Sequence, residues 1–299
     1  MSSVVSPSQR AVPEPLPENI RSVQPGGGMC YRLELAWGRW RRWYLRRFRP
    51  AYVARMARLR QGDAEGAPHP VLDPRDLKYC RNQCSAYWAP EHDPFRWRDR
   101  LPLARWGLAE VLLMAGPAAA LAASLAATRF WPVAVLPAAF ALVVLWFFRD
   151  PPRRVPQEGG LYLAPADGKI TDVTRIDHDA FLGGPAVRVG IFLSLFDVHV
   201  NRAPCHARVI AMRYVPGKFL SALRPECATE NESLWLGLEE EAPPHRRLAV
   251  RQVSGQVARR IVCQARPGEL LLPGDKFGMI KLGSRTELWL PAREELEIL

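Results

Sequence analysis

Residues 276–291, KFGMIKLGSRTELWLP, place a Gly-Ser pair between two runs of residues that favour β-strands. A glycine inside such a run usually marks a bulge or a close backbone approach, and a serine after it can cap a turn. On its own, the pair Gly283 and Ser284 is therefore weak evidence for any chemistry. Its interpretation depends on the rest of the chain.

The stretch ends a segment of short β-type runs that begins after Pro151 and Pro152. Runs dense in Val, Ile, Leu and Thr alternate there with Asp-Gly, Gly-Gly and Pro-Gly turns. Strands of this length and spacing predict a compact, mainly antiparallel β domain over residues 151–299. Glycines at its corners favour a barrel-like shape with hammerhead-type elements. The predicted fold class is therefore mainly β, in an α+β chain.

Two apolar blocks, residues 107–127 and 130–148, precede the β domain with only Thr128 and Arg129 between them. A single helix from Val111 to Phe148 would be about 57 Å long, whereas a bilayer core is roughly 30 Å thick. We therefore expect residues 106–150 to fold back as a helical hairpin that anchors the chain in a membrane. A hairpin that enters one leaflet and a buried helix pair of a soluble protein are the alternatives.

Arginines flank the hairpin on both sides. An excess of arginine outside a membrane segment indicates the cytoplasmic side, so both ends of the hairpin are predicted to lie in the cytoplasm. The flanking arginines are Arg96, Arg98, Arg100 and Arg105 before the hairpin, and Arg149, Arg153 and Arg154 after it.

The first third of the chain carries much of the formal charge of +11, with 18 Lys and Arg against 10 Asp and Glu in residues 1–100. Residues 1–30 are rich in Pro, Ser and Gly and predict a disordered tail. Residues 31–60 interleave ten arginines with aromatic residues, of which Trp37, Trp40, Tyr44 and Phe48 would share one helical stripe. Such a surface suits phosphate-rich partners, either nucleic acid or anionic lipid. The adjacent hairpin favours the membrane, so residues 31–105 are interpreted as a membrane-surface extension that does not bind nucleic acid.

Six cysteines are scattered through the chain, and no removable signal peptide precedes them. This pattern favours a reducing compartment over a secreted disulfide framework. Cys80, Cys84 and His92 have an irregular spacing and do not complete a tetrahedral zinc site, so no metal is predicted.

Four pieces of the β domain stand out in order: Asp167 in PADGKI, His199 in FLSLFDVHVNRAP, Asn231 and Glu232 in ENE, and the Gly-Ser pair. Alone, Asp167 before a glycine suits a hairpin turn, and His199 suits a half-buried strand position. Together with FFRDPPR at the end of the hairpin, the pieces resemble the phosphatidylserine decarboxylase family in its short bacterial form. The resemblance covers roughly residues 107–291.

The resemblance implies an enzyme that makes its own pyruvoyl cofactor from Ser284. In this family the motif serine attacks the preceding glycine, here Gly283, and the chain splits. The products would be residues 1–283 and 284–299, which stay associated, and higher oligomers are possible. His199 would be the base, oriented by Asp167. The long form of the family has a second histidine where Arg202 stands here.

The expected reaction is the decarboxylation of phosphatidylserine to phosphatidylethanolamine at the cytoplasmic face of a bacterial cell membrane. Arg202 is a candidate for binding the lipid phosphate, because guanidinium geometry matches phosphate. Asn231 and Glu232 are candidates for shaping the substrate site. The alternative is a membrane-tethered lipid-binding or interaction module that keeps the fold without the chemistry.

Overall fold

The computed structural model describes residues 10–156, 158, 160–221, 226–256, 260–281, 284–293 and 296–297. Its contacts divide the chain into two compact units. The β unit comprises Met1–Gly26 and Arg153–Leu299, and the helical unit comprises Gly27–Pro152.

The strands of the β unit are short, as the Gly- and Pro-rich turns between them predict. They are β1 (Lys169–Asp179), β2 (Gly184–Leu193), β3 (Val200–Arg202), β4 (Ala207–Val215), β5 (Ser233–Glu240), β6 (Arg247–Ser254), β7 (Arg260–Cys263), β8 (Leu270–Leu271), β9 (Lys276–Lys281) and β10 (Ser284–Pro291). The short helix α7 (Cys227–Glu230) precedes β5.

These strands form two antiparallel sheets. The larger has the order β1-β2-β10-β6-β5-β4-β8, and the smaller has the order β3-β9-β7. One apolar core includes buried side chains from both sheets, among them Leu193, Leu236 and Leu288 from the larger and Ile261 and Phe277 from the smaller. The mainly antiparallel β prediction is confirmed. The closed, barrel-like shape is corrected, because the described strands form two open sheets whose edge strands β1 and β8 do not pair with each other.

Residues 10–26 contact the β unit, in contrast to the predicted disordered tail. The backbone N–H of Glu14 donates to the carbonyl of Ile210 at 2.7 Å, and that of Cys263 donates to the carbonyl of Val23 at 2.8 Å. Ile20 is buried in the core of the sheets. The buried side chains of Ile20 and Val23, together with these backbone hydrogen bonds, hold the segment against the sheets. Its overall composition, which is rich in proline and polar residues, does not indicate this.

The helical unit is formed by α1 (Met29–Phe48), α2 (Pro50–Leu59), α3 (Leu77–Cys80), α4 (Leu108–Glu110), α5 (Gly116–Ala126) and α6 (Val135–Phe147). A small core of Met56, Val71, Cys80, Cys84, Ala86 and Trp88 lies under α2 and the following loops. Two arginines of α1 turn inward, where Arg41 pairs with Asp73 and Arg42 lies 3.2 Å from Asp76. These ion pairs explain why the arginine-rich helix folds against its neighbours.

The apolar segments of the helical unit expose their side chains. In the described part of the chain, one helix, Arg105–Ala126, is long and apolar enough to cross a membrane, and Trp131–Phe147 is a shorter apolar helix. Within them, α5 buries none of its residues, and Leu112 and Leu136 are each 72% exposed. A core helix of a water-soluble domain buries such residues, so this surface is consistent with membrane association.

Candidate active site

Ser284 is the first residue of β10 and lies in the middle of the larger sheet. Its backbone is opposite Leu193 of β2 on one side and Ser254 of β6 on the other. The side chain is fully buried, and within the part of the chain that the structure describes its Oγ makes no hydrogen bond. A buried hydroxyl without a partner is rare and costs free energy, which marks this position as unusual. The preceding Gly283 lies outside the described residues.

His199 lies beside the strand that leads to Ser284. Its carbonyl accepts a hydrogen bond from the N–H of Ile280 at 3.1 Å, and β3 pairs with β9 from Val200 onward. The ring is fully buried, and Nδ1 lies 2.9 Å from the carbonyl oxygen of Asp197. A carbonyl only accepts, so this contact places the proton on Nδ1 and makes Nε2 the basic nitrogen. The structure thus orients the imidazole through a main-chain oxygen that the sequence motif did not single out.

Asp167 and Gly168 approach the same end of the larger sheet. A Cβ atom at position 168 would lie 2.3 Å from the carbonyl oxygen of Phe192, so only glycine fits beside β2 here. Phe192 is in turn opposite Arg285, the residue after Ser284. The Asp167 carboxylate, which is part-exposed, forms an ion pair with Arg153. Arg153 belongs to the FFRDPPR stretch, so the structure joins two of the motifs through this pair.

Asn231 fixes the end of the strand beside Ser284. Its side-chain amide donates to the carbonyl of Ser254 at 2.7 Å and to that of Leu220 at 2.9 Å, and its oxygen accepts from the N–H of Leu220 at 2.8 Å. The backbone N–H of Ser254 donates to the carbonyl of Glu232 at 2.9 Å. The two ENE residues therefore hold the strand whose last residue, Ser254, is the neighbour of Ser284.

The Glu232 carboxyl group is itself buried, and one of its oxygens, Oε1, lacks a hydrogen-bond partner among the residues described. Burial raises the pKa of Glu232, while the Arg260 charge and a hydrogen bond with Tyr214 act in the opposite direction. A carboxyl group with a raised pKa keeps its proton to a higher pH than an exposed glutamate does. Glu232 is therefore a candidate acid or base next to the Ser254 strand.

A buried polar layer, which sequence reasoning missed, continues from Ser284 along the same face of β10. Thr286 accepts a hydrogen bond from Asn201 at 3.1 Å, and Gln252 donates to the oxygen of Asn201 at 2.8 Å. Ser254, directly opposite Ser284, also has a buried hydroxyl that is without a partner in the described ranges of the chain. The available signal was the pair Gln252 and Ser254, two polar residues on the face of β6 whose other residues, Leu248 and Val250, are apolar.

The opposite face of β10 carries a charge network. Arg285 lies 2.6 Å from Asp172 and 2.9 Å from Glu287, and Glu287 also lies 3.6 Å from Arg251. Burial acts to lower the pKa of Arg285, but the carboxylates of Glu287 and Asp172 outweigh it and raise this pKa. The guanidinium group is thus held charged beneath the strand that begins with Ser284.

Arg202 is the last residue of β3, and its backbone N–H donates to the carbonyl of Pro165 at 2.9 Å. It is opposite Lys276, at the end of β9 that is farther along the chain from Ser284, and its Nη1 donates to the carbonyl of Gly274 at 3.3 Å. The structure therefore brings together the regions of Ser284, His199, Asp167, Asn231 and Glu232, whereas Arg202 is at the other end of its strand pair.

The cysteines considered for a metal site have structural surroundings. Cys80 and Cys84 belong to the core of the helical unit, and the Cys84 thiol donates to the carbonyl of Cys80 at 3.7 Å. The hydrogen bond with Cys84 raises the pKa of the Cys80 thiol, and burial raises it further. Among the described residues, no group of three or more His, Cys, Asp or Glu is arranged to hold a metal ion.

Comparison with known proteins gives this geometry a family. The sequence model of the phosphatidylserine decarboxylase family matches residues 140–299. A phosphatidylserine decarboxylase proenzyme of Rhodopirellula baltica is 50% identical over 222 residues, which cover 74% of this chain and 91% of the relative. Proenzymes of the same name from Symbiobacterium thermophilum and Carboxydothermus hydrogenoformans are 45% and 42% identical, over 56% and 57% of this chain and 76% and 78% of their own lengths. The chain therefore belongs to the phosphatidylserine decarboxylase family.

Proposed function

We propose that this chain is a proenzyme that cuts itself between Gly283 and Ser284 and then decarboxylates phosphatidylserine to phosphatidylethanolamine. Its family membership and the names of its relatives support both the activity and the proenzyme state. The observation that carries the proposal is the buried Ser284 hydroxyl, which has no hydrogen-bond partner among the described residues although its strand is paired on both sides. Such a group is expected where the hydroxyl is kept for a reaction.

The first step of self-cleavage exchanges an amide for an ester. The Oγ atom of Ser284 attacks the carbonyl carbon of Gly283, its proton passes to a base, and the peptide nitrogen leaves that carbon and takes up a proton. Attack within one chain replaces a bimolecular encounter and can lower the barrier by about 7–11 kcal/mol when the geometry is held. Because β10 is paired with β2 and with β6, the residues that follow the Gly283–Ser284 bond are held in a fixed position.

The second step breaks the chain. The Cα proton of residue 284 leaves with a base, the Cβ–Oγ bond breaks, and Gly283 retains both oxygens as a carboxylate. Water then replaces the nitrogen of residue 284, which leaves as ammonia, so that a pyruvoyl group remains at the new N-terminus. The reaction needs no oxidant or reductant, because the Cα of residue 284 is oxidised to a ketone carbon while its Cβ loses oxygen and is reduced to a methyl carbon.

His199 is the proposed base of the first step. Its contact with the carbonyl of Asp197 leaves Nε2 to accept the serine proton, and a serine hydroxyl needs such a base at neutral pH. Asp167 is the proposed acidic partner of His199. To act in that way, its carboxylate would exchange the ion pair with Arg153 for the imidazole.

The residues around Ser284 fit a pyruvoyl group, because the position is fully buried and the neighbouring Ser254 hydroxyl, which has no partner among the described residues, could donate a hydrogen bond to it. A pyruvoyl group supplies a carbonyl that accepts the electrons released when CO2 leaves an amino acid. Asn231 and Glu232 would position the substrate end of the site, and Glu232 can supply a proton there. Arg202 remains the proposed partner of the lipid phosphate.

The chain is further proposed to act at the cytoplasmic face of a bacterial membrane. The exposed apolar surface of α5 and α6 would be covered by acyl chains, and the arginines on both sides of residues 106–150 favour cytoplasmic ends. A lipid substrate keeps its carboxylate in the headgroup layer, so an enzyme attached there finds it by diffusion in two dimensions.

Intact mass of the purified protein tests the proposal. We expect two polypeptides, with a break between residues 283 and 284, and a short chain whose N-terminus lacks an amine. Ser284→Ala is expected to give one full-length chain without activity.

The matched control is Ser254→Ala, which removes the neighbouring buried hydroxyl. We expect this variant to be cut at the same bond, because it keeps both the attacking Ser284 hydroxyl and the proposed base His199. A single uncut wild-type chain, or continued cleavage of Ser284→Ala, would contradict the proposal.

A further inference from the structure

The outer face of α1 carries an aromatic stripe, defined here as Trp37, Trp40, Tyr44 and Phe48. These residues follow one another three or four positions apart, and between 38% and 55% of each is exposed. The inner face of the helix is made by other residues, among them Leu45 and Gly38, which are buried. The stripe is therefore not needed for packing α1 onto the helical unit.

The rings of the stripe touch one another in sequence. Trp37 and Trp40 have centroids 4.7 Å apart, Trp40 and Tyr44 are stacked at 5.6 Å, and Tyr44 and Phe48 lie at 5.3 Å. They form one continuous apolar ridge along the helix. An exposed apolar ridge of this kind on a folded unit indicates a partner that covers it.

Charge complementarity indicates what that partner is. Arg75 lies over the ring of Trp37 at 6.0 Å, and Arg47 lies over that of Phe48 at 5.5 Å, so both ends of the stripe carry a guanidinium group. Arg39 and Arg46 are also exposed on α1. The acidic side chains nearby are already neutralised by ion pairs within the helical unit. Asp73 pairs with Arg41, Asp76 with Arg42, and Glu34 with Lys78. The outer face is therefore cationic as well as aromatic.

The contact between α1 and the apolar helix also indicates which partner covers the stripe. Within the helical unit α1 contacts α4, which belongs to the first turns of the segment Arg105–Ala126. If that segment enters a bilayer, its arginine-bearing beginning lies at the level of the headgroups. A helix in contact with this end lies at the same level, where tryptophan and arginine side chains are most favourable.

We propose that the aromatic stripe of α1 docks on the surface of an anionic bilayer, with its rings at the boundary between headgroups and acyl chains and its arginines on lipid phosphates. The proposal rests on the membrane attachment proposed above and is independent of the decarboxylation chemistry. Arginines and aromatic rings also bind single-stranded nucleic acid. The contact between α1 and the apolar segment favours the bilayer.

The test uses the full chain in lipid nanodiscs, either of phosphatidylcholine alone or with about one-third phosphatidylglycerol, which gives the negative surface that basic residues recognise. Cys30→Ser and Cys205→Ser remove the two partly exposed thiols, because the other four cysteines are buried. A nitroxide is then attached through Trp40→Cys, through Leu121→Cys in the apolar segment, or through the control Tyr87→Cys. Tyr87 is 52% exposed in the same unit but lies outside the stripe. The accessibility of each label to oxygen and to a water-soluble nickel complex is measured.

In the anionic discs we expect the ratio of oxygen to nickel accessibility at position 40 to exceed that at position 87 several-fold, as for a residue in the interface. Removing charge with Arg39→Gln, Arg46→Gln and Arg47→Gln together should lower the ratio at position 40 while leaving position 121 in the acyl layer. A label at position 40 that is as accessible to nickel as that at position 87, with position 121 inserted, would overturn the docking proposal alone.

Two other outcomes also overturn it. A water-accessible label at position 121 would show that the membrane attachment fails, and the docking proposal would fail with it. Protection of position 40 by a single-stranded oligonucleotide, without protection by the anionic bilayer, would assign the stripe to nucleic acid.

Discussion

Gly168 adopts a φ of 153° and lies so close to β2 that any side chain would collide with the carbonyl of Phe192. We expect Gly168→Ala to lower the free energy of unfolding by about 1–3 kcal/mol, because the backbone must shift or remain strained. It should also slow self-cleavage, since β2 is the neighbour of Ser284. Thermal unfolding in detergent and the fraction of cut chain measure the two effects.

The control for this change is Gly184→Ala, in which the added Cβ meets no atom within 4 Å. Its effect on stability should stay within about 0.5 kcal/mol. Equal losses for the two variants would show that the close approach at position 168 does not limit stability.

Glu232 gives a prediction for pH. Burial raises the pKa of the Glu232 carboxyl group, so the folded protein keeps the carboxyl proton to a higher pH than the unfolded chain does. Glutamates of an unfolded chain titrate at about 4.3. The contribution of this group to stability is therefore present below that pH and is lost as the pH rises through the raised pKa. We expect Glu232→Gln to remove this loss, so that its melting temperature falls less than that of the wild type from pH 4 upward.

Glu230→Gln, which changes an exposed neighbouring glutamate, reports the background pH dependence. A Glu232→Gln curve parallel to the wild type would contradict the assignment of a raised pKa to Glu232.

The sequence predicted which residues deserve a test, because Ser284, His199 and the ENE residues lie in short, ordered motifs. It could not predict how they are held. The hydrogen bond between Asn201 and Thr286 joins positions 85 residues apart, and the orientation of His199 depends on a main-chain oxygen that any residue type provides. Such contacts follow from strand pairing, which local patterns do not encode.

At the scale of elements, β10 is held from its far face by buried charges. Arg285→Met would leave Glu287, which is fully buried, without its closest cation. We expect a loss of about 3–5 kcal/mol in the free energy of unfolding, as for other buried ion pairs that lose one partner. Chemical denaturation followed by tryptophan fluorescence measures it.

The double variant Arg285→Met, Glu287→Met should recover much of this loss, because no unpaired charge remains buried. Arg175→Met, on the exposed side of β1, is the matched control and should have little effect. A double variant less stable than Arg285→Met would mean that the network contributes through packing and not through charge.

Strand composition and turn residues were sufficient to predict short antiparallel strands over residues 151–299. They were not sufficient for the sheet order. The insertion of the last strand, β10, between β2 and β6 brings together segments nearly one hundred residues apart and leaves two open sheets where a barrel was expected. This arrangement is non-local, so only the three-dimensional structure reveals that Ser284 begins a central strand.

For the whole molecule, cleavage before Ser284 would separate the chain into residues 1–283 and 284–299. The short chain would contain all of β10, which pairs with β2 from Ser284 to Pro291 and with β6 from Ser284 to Trp289. We therefore expect both chains to elute together in size-exclusion chromatography in mild detergent and to separate only in denaturant. Loss of the short chain under native conditions would contradict the pairing of β10 with its two neighbours.

The organisation of the chain differs most from expectation near its beginning. Residues 10–26 belong to the β unit with residues 153–299, so the helical unit is inserted between two parts of one fold. Composition alone indicated a tail, because prolines and polar residues dominate and few apolar side chains, Ile20 and Val23 among them, are buried there. A fragment that begins at residue 153 would lack these side chains, and the apolar surface that they cover in the β unit would be exposed to water.

The central position of β10 also bears on the lifetime of the enzyme. A strand bonded along both edges cannot be exchanged for a fresh copy without dismantling the sheet around it. If the electrophile at residue 284 is consumed by a side reaction, the damaged peptide stays in place and no repair by subunit replacement is open. Inactivation of each molecule would then be irreversible, and activity in the cell would be restored only by new synthesis.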